Sequence, residues 1–435
     1  MSALYYTLGV LVFVVAILAS IALHELGHMI PAKKFGGKVT QYFVGFGSTV
    51  WSKKVGETEY GIKSIPLGGY VKIVGMLPPD KDGNLRQSNT GMFTQLIADA
   101  RAAEAEHIEE GDEDRLFYKM AWWKKVIVMA AGPSVNIAIA LVIFGGVFAT
   151  YGNLGDPVTE PTVAEVQRCA VPYSESNREC KATDPDTPAY AAGLQDGDEI
   201  LAFNGTKIHD WSTLQRLIRA NADREAVITV SRDGAERTLT THTIVSARPS
   251  ATDIEDKKLT DVGFLGMLPV VEPRTGGLFY TVGEMGTMTV STVQALGQMP
   301  VKVWGVAKAI VGAEERDPEG PMSVVGGGRI AGETASAEHF PVKEKAVFLL
   351  MLIGGFNFFI GMFNFVPLLP LDGGHIAGAL YEAVRRGWAR LRRRPDPGYV
   401  DVAKLLPIAY VVAGAFLVMS VVLIVGDIVR PIHIT

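Results

Sequence analysis

Residues 24–28 read His-Glu-Leu-Gly-His, two imidazoles four residues apart with a carboxylate beside the first. On a helix, positions i and i+4 share one face. His24 and His28 can therefore grip one ion, while Glu25 sits about 100° around, placed to hold a water. That is the donor set of a metal-assisted hydrolase. Such a site wants a third protein ligand and a position left open for water. The stretch GMFNFVPLLPLDGGHIAGAL (361–380) offers Asp372 and His375 in an apolar setting. Pro367 and Pro370 break the helical hydrogen-bond ladder there, and Gly373–Gly374 let backbones approach. Asp372 lies deeper in the apolar run and is the preferred ligand; composition alone leaves His375 as its rival.

The segments that must position these side chains are apolar enough to be membrane spans. Ser2–Leu23, Val126–Leu154, Ala346–Leu371 and Leu405–Gly426 contain no Asp, Glu, Lys, Arg or His. Each exceeds the roughly 20 residues a helix needs to cross the hydrocarbon core. The predicted fold class is a multi-pass α-helical membrane protein with four transmembrane helices, a membrane-associated β-hairpin or sheet, and one soluble α+β domain. The spans are 1–30, 119–154, 346–384 and 405–428. The first is read as a retained helix, because no Lys or Arg precedes Lys33. Lys33, Lys34 and Lys38, then Lys119, Lys124 and Lys125, then the basic loop 385–404 all fall on one side if the N-terminus is outside. The positive-inside rule makes that side cytoplasmic. His28, five residues before Lys33, then places the metal toward the cytoplasmic leaflet. A charged group inside a span costs several kcal/mol unless paired or facing a polar cavity, so the trio is functional by default. The formal charge of −5 says little by itself, and no nucleic-acid partner is expected.

Between the spans, 31–76 reads as a β-hairpin region, rich in Val, Ile, Tyr and Phe and punctuated by Gly. It either dips toward the bilayer, lining the active site, or forms a small cytosolic sheet beneath the helices. Residues 77–118 form a polar cytosolic loop, in which His107 among acidic residues reads as a solvated face. Phe117, Tyr118, Trp122 and Trp123 resemble an interfacial aromatic belt. Residues 160–270 hold a short helix, a strand, an Asn-Gly turn, a second helix and a hairpin at Asp233–Gly234. Their order resembles a PDZ domain of the bacterial protease type, on the extracytoplasmic side. Such a fold binds an extended peptide or tail by strand addition; the alternative is a steric screen. Cys169 and Cys180 fall in this exterior segment, where an oxidising compartment would allow a disulfide; two free thiols are the alternative. Residues 276–345 suggest amphipathic linker helices interrupted at Pro300. The glycine-rich 320–333 lacks GK[ST] and reads as a packed or flexible loop.

Taken together, HELGH, GFG, PLGGYVKI, AGPSVN, the PDZ-like segment, GPMSV and NFVPLLPLDGGH resemble the site-two protease family of intramembrane zinc metalloproteases. The nearer likeness is to the bacterial regulator-of-sigma-factor proteases, here with one PDZ domain where the best-known members have two. The pair HExxH and NxxPxxxLDG is intact, with Asn364, Pro367, Leu371, Asp372 and Gly373 each in place. The resemblance implies one Zn2+ per chain held by His24, His28 and Asp372, with Glu25 as general acid/base. It also implies that Asn364 and Asn136 help hold substrate. Their bland readings are a polar cap for the broken helix and an interhelical hydrogen bond. The expected location is the bacterial inner membrane.

A transmembrane substrate must unwind before its carbonyls can be attacked. The edge 65–73, including Gly68, Gly69 and Tyr70, is the candidate for pairing with the unwound stretch by strand addition. The implied function is cleavage of single-pass membrane proteins within the lipid bilayer, with a trimmed anti-sigma factor as substrate. The alternatives are clearance of remnant signal peptides and a non-catalytic PDZ scaffold with a structural metal.

Overall fold

In the computed structural model the charge-free N-terminal run and the HELGH motif form one helix, α1 (Ser2–Lys34). The structure describes residues 2–79, 92–106, 108–175, 178–249, 259–338 and 340–432; His107 lies outside them. Two units are distinguished, Met1–Val147 with Gly277–Thr435, and Phe148–Gly276. Along α1 the buried positions include Phe13, Ile17, Ser20, His24 and His28. They recur every three or four residues, so the histidines continue the stripe that the apolar side chains begin.

After α1 come two long antiparallel strands, β1 (Val39–Val55) and β2 (Thr58–Ile73). Both bend, so residues 39–44 of β1 pair with 59–62 on one side and with 69–73 on the other. Residues 69–73 are thus the outer rung, with no further strand beside them among the described residues. The bends fall where Gly45, Gly47 and Gly68 take positive φ, a conformation that favours glycine. The Tyr42 hydroxyl donates to the Ala22 carbonyl at 2.7 Å, tying the sheet to α1 two residues before His24. Phe46, Trp51, Ile62 and Ile65, near the far end of the sheet, are exposed.

The polar segment that follows contains α2 (Met92–Ala105), whose Arg101 pairs with Asp401 at 2.6 Å. Glu104 accepts from the Gly75 and Met76 N–H groups at 2.8 and 3.1 Å. Helix α3 (Trp122–Thr150) then meets α1 at glycines. A Cβ on Gly27 would lie 2.9 Å from the Gly132 Cα, so the backbones are nearly in contact.

The second unit is all antiparallel. Strands β3 (Asn153–Val166), β4 (Glu199–Phe203), β5 (Thr206–Lys207), β6 (Glu225–Arg232), β7 (Ala235–His242) and β10 (Met267–Arg274) form a sheet in the order β10-β3-β4-β6-β7, with β5 on β4. Strands β8 (Ile244–Arg248) and β9 (Thr260–Phe264) pair separately. Helices α4 (Pro188–Ala191) and α5 (Trp211–Ala220) complete the unit. Ile200, Phe203, Leu214, Ile228, Val230 and Leu265 form its core. The turns at Asn204–Gly205 and Asp233–Gly234 have positive φ throughout, as two-residue hairpin turns require. Burial pushes the Asp198 carboxyl up, but the Arg232 fork at 2.6 and 2.7 Å and the Gln195 N–H outweigh it and hold it below its ordinary range. Cys169 and Cys180 are joined as a disulfide with Cα atoms 5.8 Å apart.

Back in the first unit, α6 (Leu278–Ile310), α7 (Val324–Ser336), α8 (Val342–Asn364), α9 (Asp372–Leu391) and α10 (Leu406–Val429) follow. Among the described residues four helices are long and apolar enough to cross a membrane: α1, α3, α8, and α10 with the turn before it. Three details depart from the sequence reading. Helix α6 runs through Pro300 without interruption; the lost N–H removes one ladder bond, and Val303 and Val306 beyond it pack on Leu423 of α10. The glycine-rich stretch is helical: in α7 a Cβ on Gly327 would meet the Phe13 ring at 2.8 Å, and one on Gly332 would meet Tyr6 at 2.7 Å. Its glycines serve close packing on α1. Finally, 346–384 is two helices rather than one. Residues 365–371 leave the helical path at Pro367 and Pro370 and fold back on the first turn of α9. A Cβ at Gly373 would strike the Val366 carbonyl, and one at Gly374 would lie 2.6 Å from the Leu369 nitrogen.

The Cys169–Cys180 loop spans a sequence separation of 11, and closing a loop of that size stabilises by about 2–3 kcal/mol. Replacing both cysteines with serine should lower the thermal midpoint of the second unit by several degrees. An unchanged melting curve would mean that the unfolded chain gains nothing from the break.

Candidate active site

Helix α1 delivers His24 and His28 four residues apart on its buried stripe, and the first residue of α9 delivers Asp372. The two Nε2 atoms lie 3.2 Å apart, and Asp372 Oδ2 lies 3.3 Å from His24 Nε2 and 3.2 Å from His28 Nε2. Among the described residues this is the one cluster of histidine, cysteine and acidic groups converging on a common point. The sequence left Asp372 and His375 as rivals for the third place; it is Asp372 that joins the pair.

The triangle fits a tetrahedral ion. Bonds of about 2.0–2.1 Å to zinc give ligand-to-ligand edges of about 3.3–3.4 Å, close to the 3.2–3.3 Å found here. Asp372 Oδ2 is buried and makes no hydrogen bond, although both nitrogens are within 3.3 Å. An orphaned carboxylate oxygen facing two imidazoles is poorly explained without a cation between them. His28 Nδ1 donates to the Val128 carbonyl at 2.8 Å. That bond fixes the tautomer and leaves the Nε2 lone pair pointing into the cluster. His24 Nδ1 is buried with no hydrogen-bond partner.

Two glycine contacts bring the other elements onto this centre. A Cβ at Gly132 of α3 would collide with the His28 ring, so the glycine of AGPSVN is the space that His28 occupies. A Cβ at Gly69 of β2 would lie 2.9 Å from the Phe43 carbonyl, 3.0 Å from Ile21 and 3.1 Å from Glu25 Cγ. The outer rung of the sheet therefore runs directly against the turn of α1 that carries Glu25, within reach of the Val71 N–H. Tyr70 stacks on Phe43 at 5.6 Å and lies parallel to Phe46 at 6.4 Å. Gly68 takes φ +89 beside the Phe46 ring.

Asn364 is the last residue of α8, and its Nδ2 donates to the Ile360 carbonyl at 3.1 Å, within its own helix. Asn136 lies one helical turn beyond Gly132 on the same face of α3, buried, with its carbonyl oxygen unpartnered. Sequence reading missed two features. Gly132 and the Val128 carbonyl both act on His28 from α3. Asn357 of α8, two turns before Asn364, is buried with Oδ1 unpartnered and Nδ2 on the Ile353 carbonyl at 2.9 Å. Its only sequence signal was an amide in a charge-free run whose other strongly polar side chain is Asn364.

The family model for peptidase family M50 matches residues 12–396. Zinc metalloprotease Rip1 of Mycolicibacterium smegmatis is 34% identical over 441 residues, covering 99% of both chains. Rip1 of Mycobacterium tuberculosis is 34% identical over 440 residues, again 99% of both. Both alignments run through the metal cluster, the sheet and all four apolar helices. With the family model spanning most of its length, the chain belongs to peptidase family M50, the site-two protease family.

Proposed function

We propose that this M50 peptidase cuts the transmembrane segments of single-pass membrane proteins, its substrate a membrane-spanning anti-sigma factor already trimmed outside. The enzyme is an intramembrane zinc metalloendopeptidase. The observation that carries the reading is the His24–His28–Asp372 triangle at zinc-ligand spacing with Glu25 beside it. Zinc in that triangle would supply Lewis-acid polarisation of the scissile carbonyl and a water acidified to a pKa of about 7.

The chain's own residues do the rest. Glu25, next to the ligands yet outside the triangle, accepts the proton of the attacking water and returns it to the leaving amine. The outer rung 69–73, with Gly68, Gly69 and Tyr70, pairs with the unwound substrate by strand addition and holds its backbone beside Glu25. The carbonyl groups freed by unwinding are thereby satisfied, which a bilayer demands. Asn136 and Asn364 hold the substrate backbone by amide hydrogen bonds; the unpartnered, buried Asn136 oxygen supports this for α3. The exposed apolar side chains at the far end of the sheet favour the membrane-associated hairpin over a cytosolic one.

The second unit is read as the PDZ-like domain, outside the cytoplasm. A groove of about 250 Å³ between α5 and residues 262–267 suits an extended peptide or tail. The basic clusters, read by the positive-inside rule, support a metal site toward the cytoplasmic leaflet of a bacterial inner membrane, with the N-terminus outside.

Glu25→Gln should retain zinc and lose cleavage of a model transmembrane peptide by about 10²–10⁴-fold, the range for a general acid/base. Metal analysis beside the rate checks it; undiminished turnover would refute the assigned base. Gly132→Ala should weaken metal binding by about 10–100-fold, as loss of outer-shell support does, read as zinc retained after dialysis against chelator. Val71→Pro, which removes an N–H facing the free side of the rung, should abolish cleavage with zinc still bound, and normal turnover would rule out strand addition at this edge.

A further inference from the structure

A cavity of about 970 Å³ lies beside the loop that delivers Asp372, bounded by Pro367–Leu369, one face of α9, and the segment 397–405. Helix α9 divides its work between two faces. Asp372 and Glu382 turn into the protein, the first to the metal cluster and the second to Lys125 at 2.8 Å. Gly374, Ala377, Gly378, Tyr381 and Arg385 recur at helical spacing on the cavity side.

The lining is amphipathic. Leu368, Leu369, Ala377 and Ile408 supply apolar wall, and Lys119, Arg385 and Lys404 supply cations. The one carboxylate among the lining residues, Asp401, is already gripped by Arg101 at 2.6 and 2.7 Å, with Lys404 3.8 Å away. Among the described residues no carboxylate faces Lys119 or Arg385 as an ion-pair partner; the Arg385 guanidinium donates to the Pro397 carbonyl at 2.7 Å. Positive charge is therefore in excess. Tyr118, Tyr381 and Tyr399 border it, and exposed Trp122 and Trp123 follow at the start of α3, where an interfacial belt would lie.

We propose that this cavity binds an anionic phospholipid, its phosphate on Lys119, Arg385 and Lys404 and the upper part of its chains on the leucine wall. The proposal rests on reading the four apolar helices as spans with the basic clusters at one interface. Basic pockets between membrane helices suit anionic headgroups, and lysine and arginine donors are matched to phosphate oxygens. A peptide fits less well. The walls are helices and prolines (Pro78, Pro79, Pro367 and Pro397), which offer no strand edge, and the Gly398 and Val400 N–H groups are taken by Asp396 and Glu382. A backbone laid here would leave polar groups unpaired. Because the lipid would bear on Pro367–Leu369, it would steady the loop that sets Asp372.

The test uses the full chain in nanodiscs of phosphatidylcholine alone or with phosphatidylglycerol. Bound lipid is identified by mass spectrometry after detergent exchange. The parent should retain phosphatidylglycerol in stoichiometric amount, and its cleavage of a transmembrane peptide should rise severalfold when that lipid is present. Lys119→Gln/Arg385→Gln/Lys404→Gln should lose both effects while keeping its zinc and its melting temperature. Arg390→Gln/Arg392→Gln/Arg394→Gln, with equal charge removed from the exposed basic loop, should keep both. Equal retention in the two variants, or equal loss, would overturn the site, as would photo-crosslinking of cleaved peptide to position 377. A chain that stayed monodisperse without detergent would instead overturn the span reading.

Discussion

Two imidazoles and a carboxylate, from opposite ends of the chain, must be held within 3.3 Å of one another among apolar helices. Nothing about that arrangement is favourable by itself. Polar and charged groups inside a span cost several kcal/mol, and an ion shared among them would offset that cost. The remainder of the first unit can be understood as the scaffold this requires. Helix α3 supports His28 from behind, through the Val128 carbonyl. The sheet lies against the turn that bears Glu25. The proline-broken loop wraps the first turn of α9 and so fixes where Asp372 begins.

Away from the cluster, the joints nearest the basic sequence runs are made by ion pairs whose cations are buried. Lys125 meets Glu382, Arg101 meets Asp401, and Lys38 meets Asp112 at 2.6 Å and Glu109 at 2.7 Å. Lys38 is held above its ordinary range, chiefly by Asp112 and then by Glu109. Such pairs contribute little net stability but penalise any misdocked arrangement heavily, since a lone buried charge is costly. They link the residue before β1 to the segment between α2 and α3, α2 to the loop before α10, and α3 to α9, elements whose mutual positions apolar contact alone would leave loosely determined.

Much of this was legible in the residues. The spans follow from charge-free length, and the metal cluster from HExxH with an acid at a helix break. The hairpin turns of the second unit followed from Asn-Gly and Asp-Gly, whose backbone preferences are local. What escaped had a common cause. The glycines of α7 read as a loop because propensity counts glycine against a helix, whereas here the absent side chains admit Phe13 and Tyr6 from α1. Pro300 read as an interruption because one missing hydrogen bond was weighed without the packing of Val303 and Val306. Gly132 carried no signal of its own; its role exists only relative to a ring on another helix. Non-local packing overrode local preference in each case.

The crossing of α1 and α3 has a genetic corollary. Where two ordinary side chains press together, enlarging one can be relieved by shrinking the other. At Gly27 the nearest facing atoms are the Ala131 carbonyl and the Gly132 Cα, which are backbone, and at Gly132 they belong to the His28 ring. A side chain added at Gly27 meets backbone that no substitution can trim, and one added at Gly132 meets an imidazole that cannot be shortened without dismantling the triangle, so a search for intragenic suppressors at these two positions should come back empty.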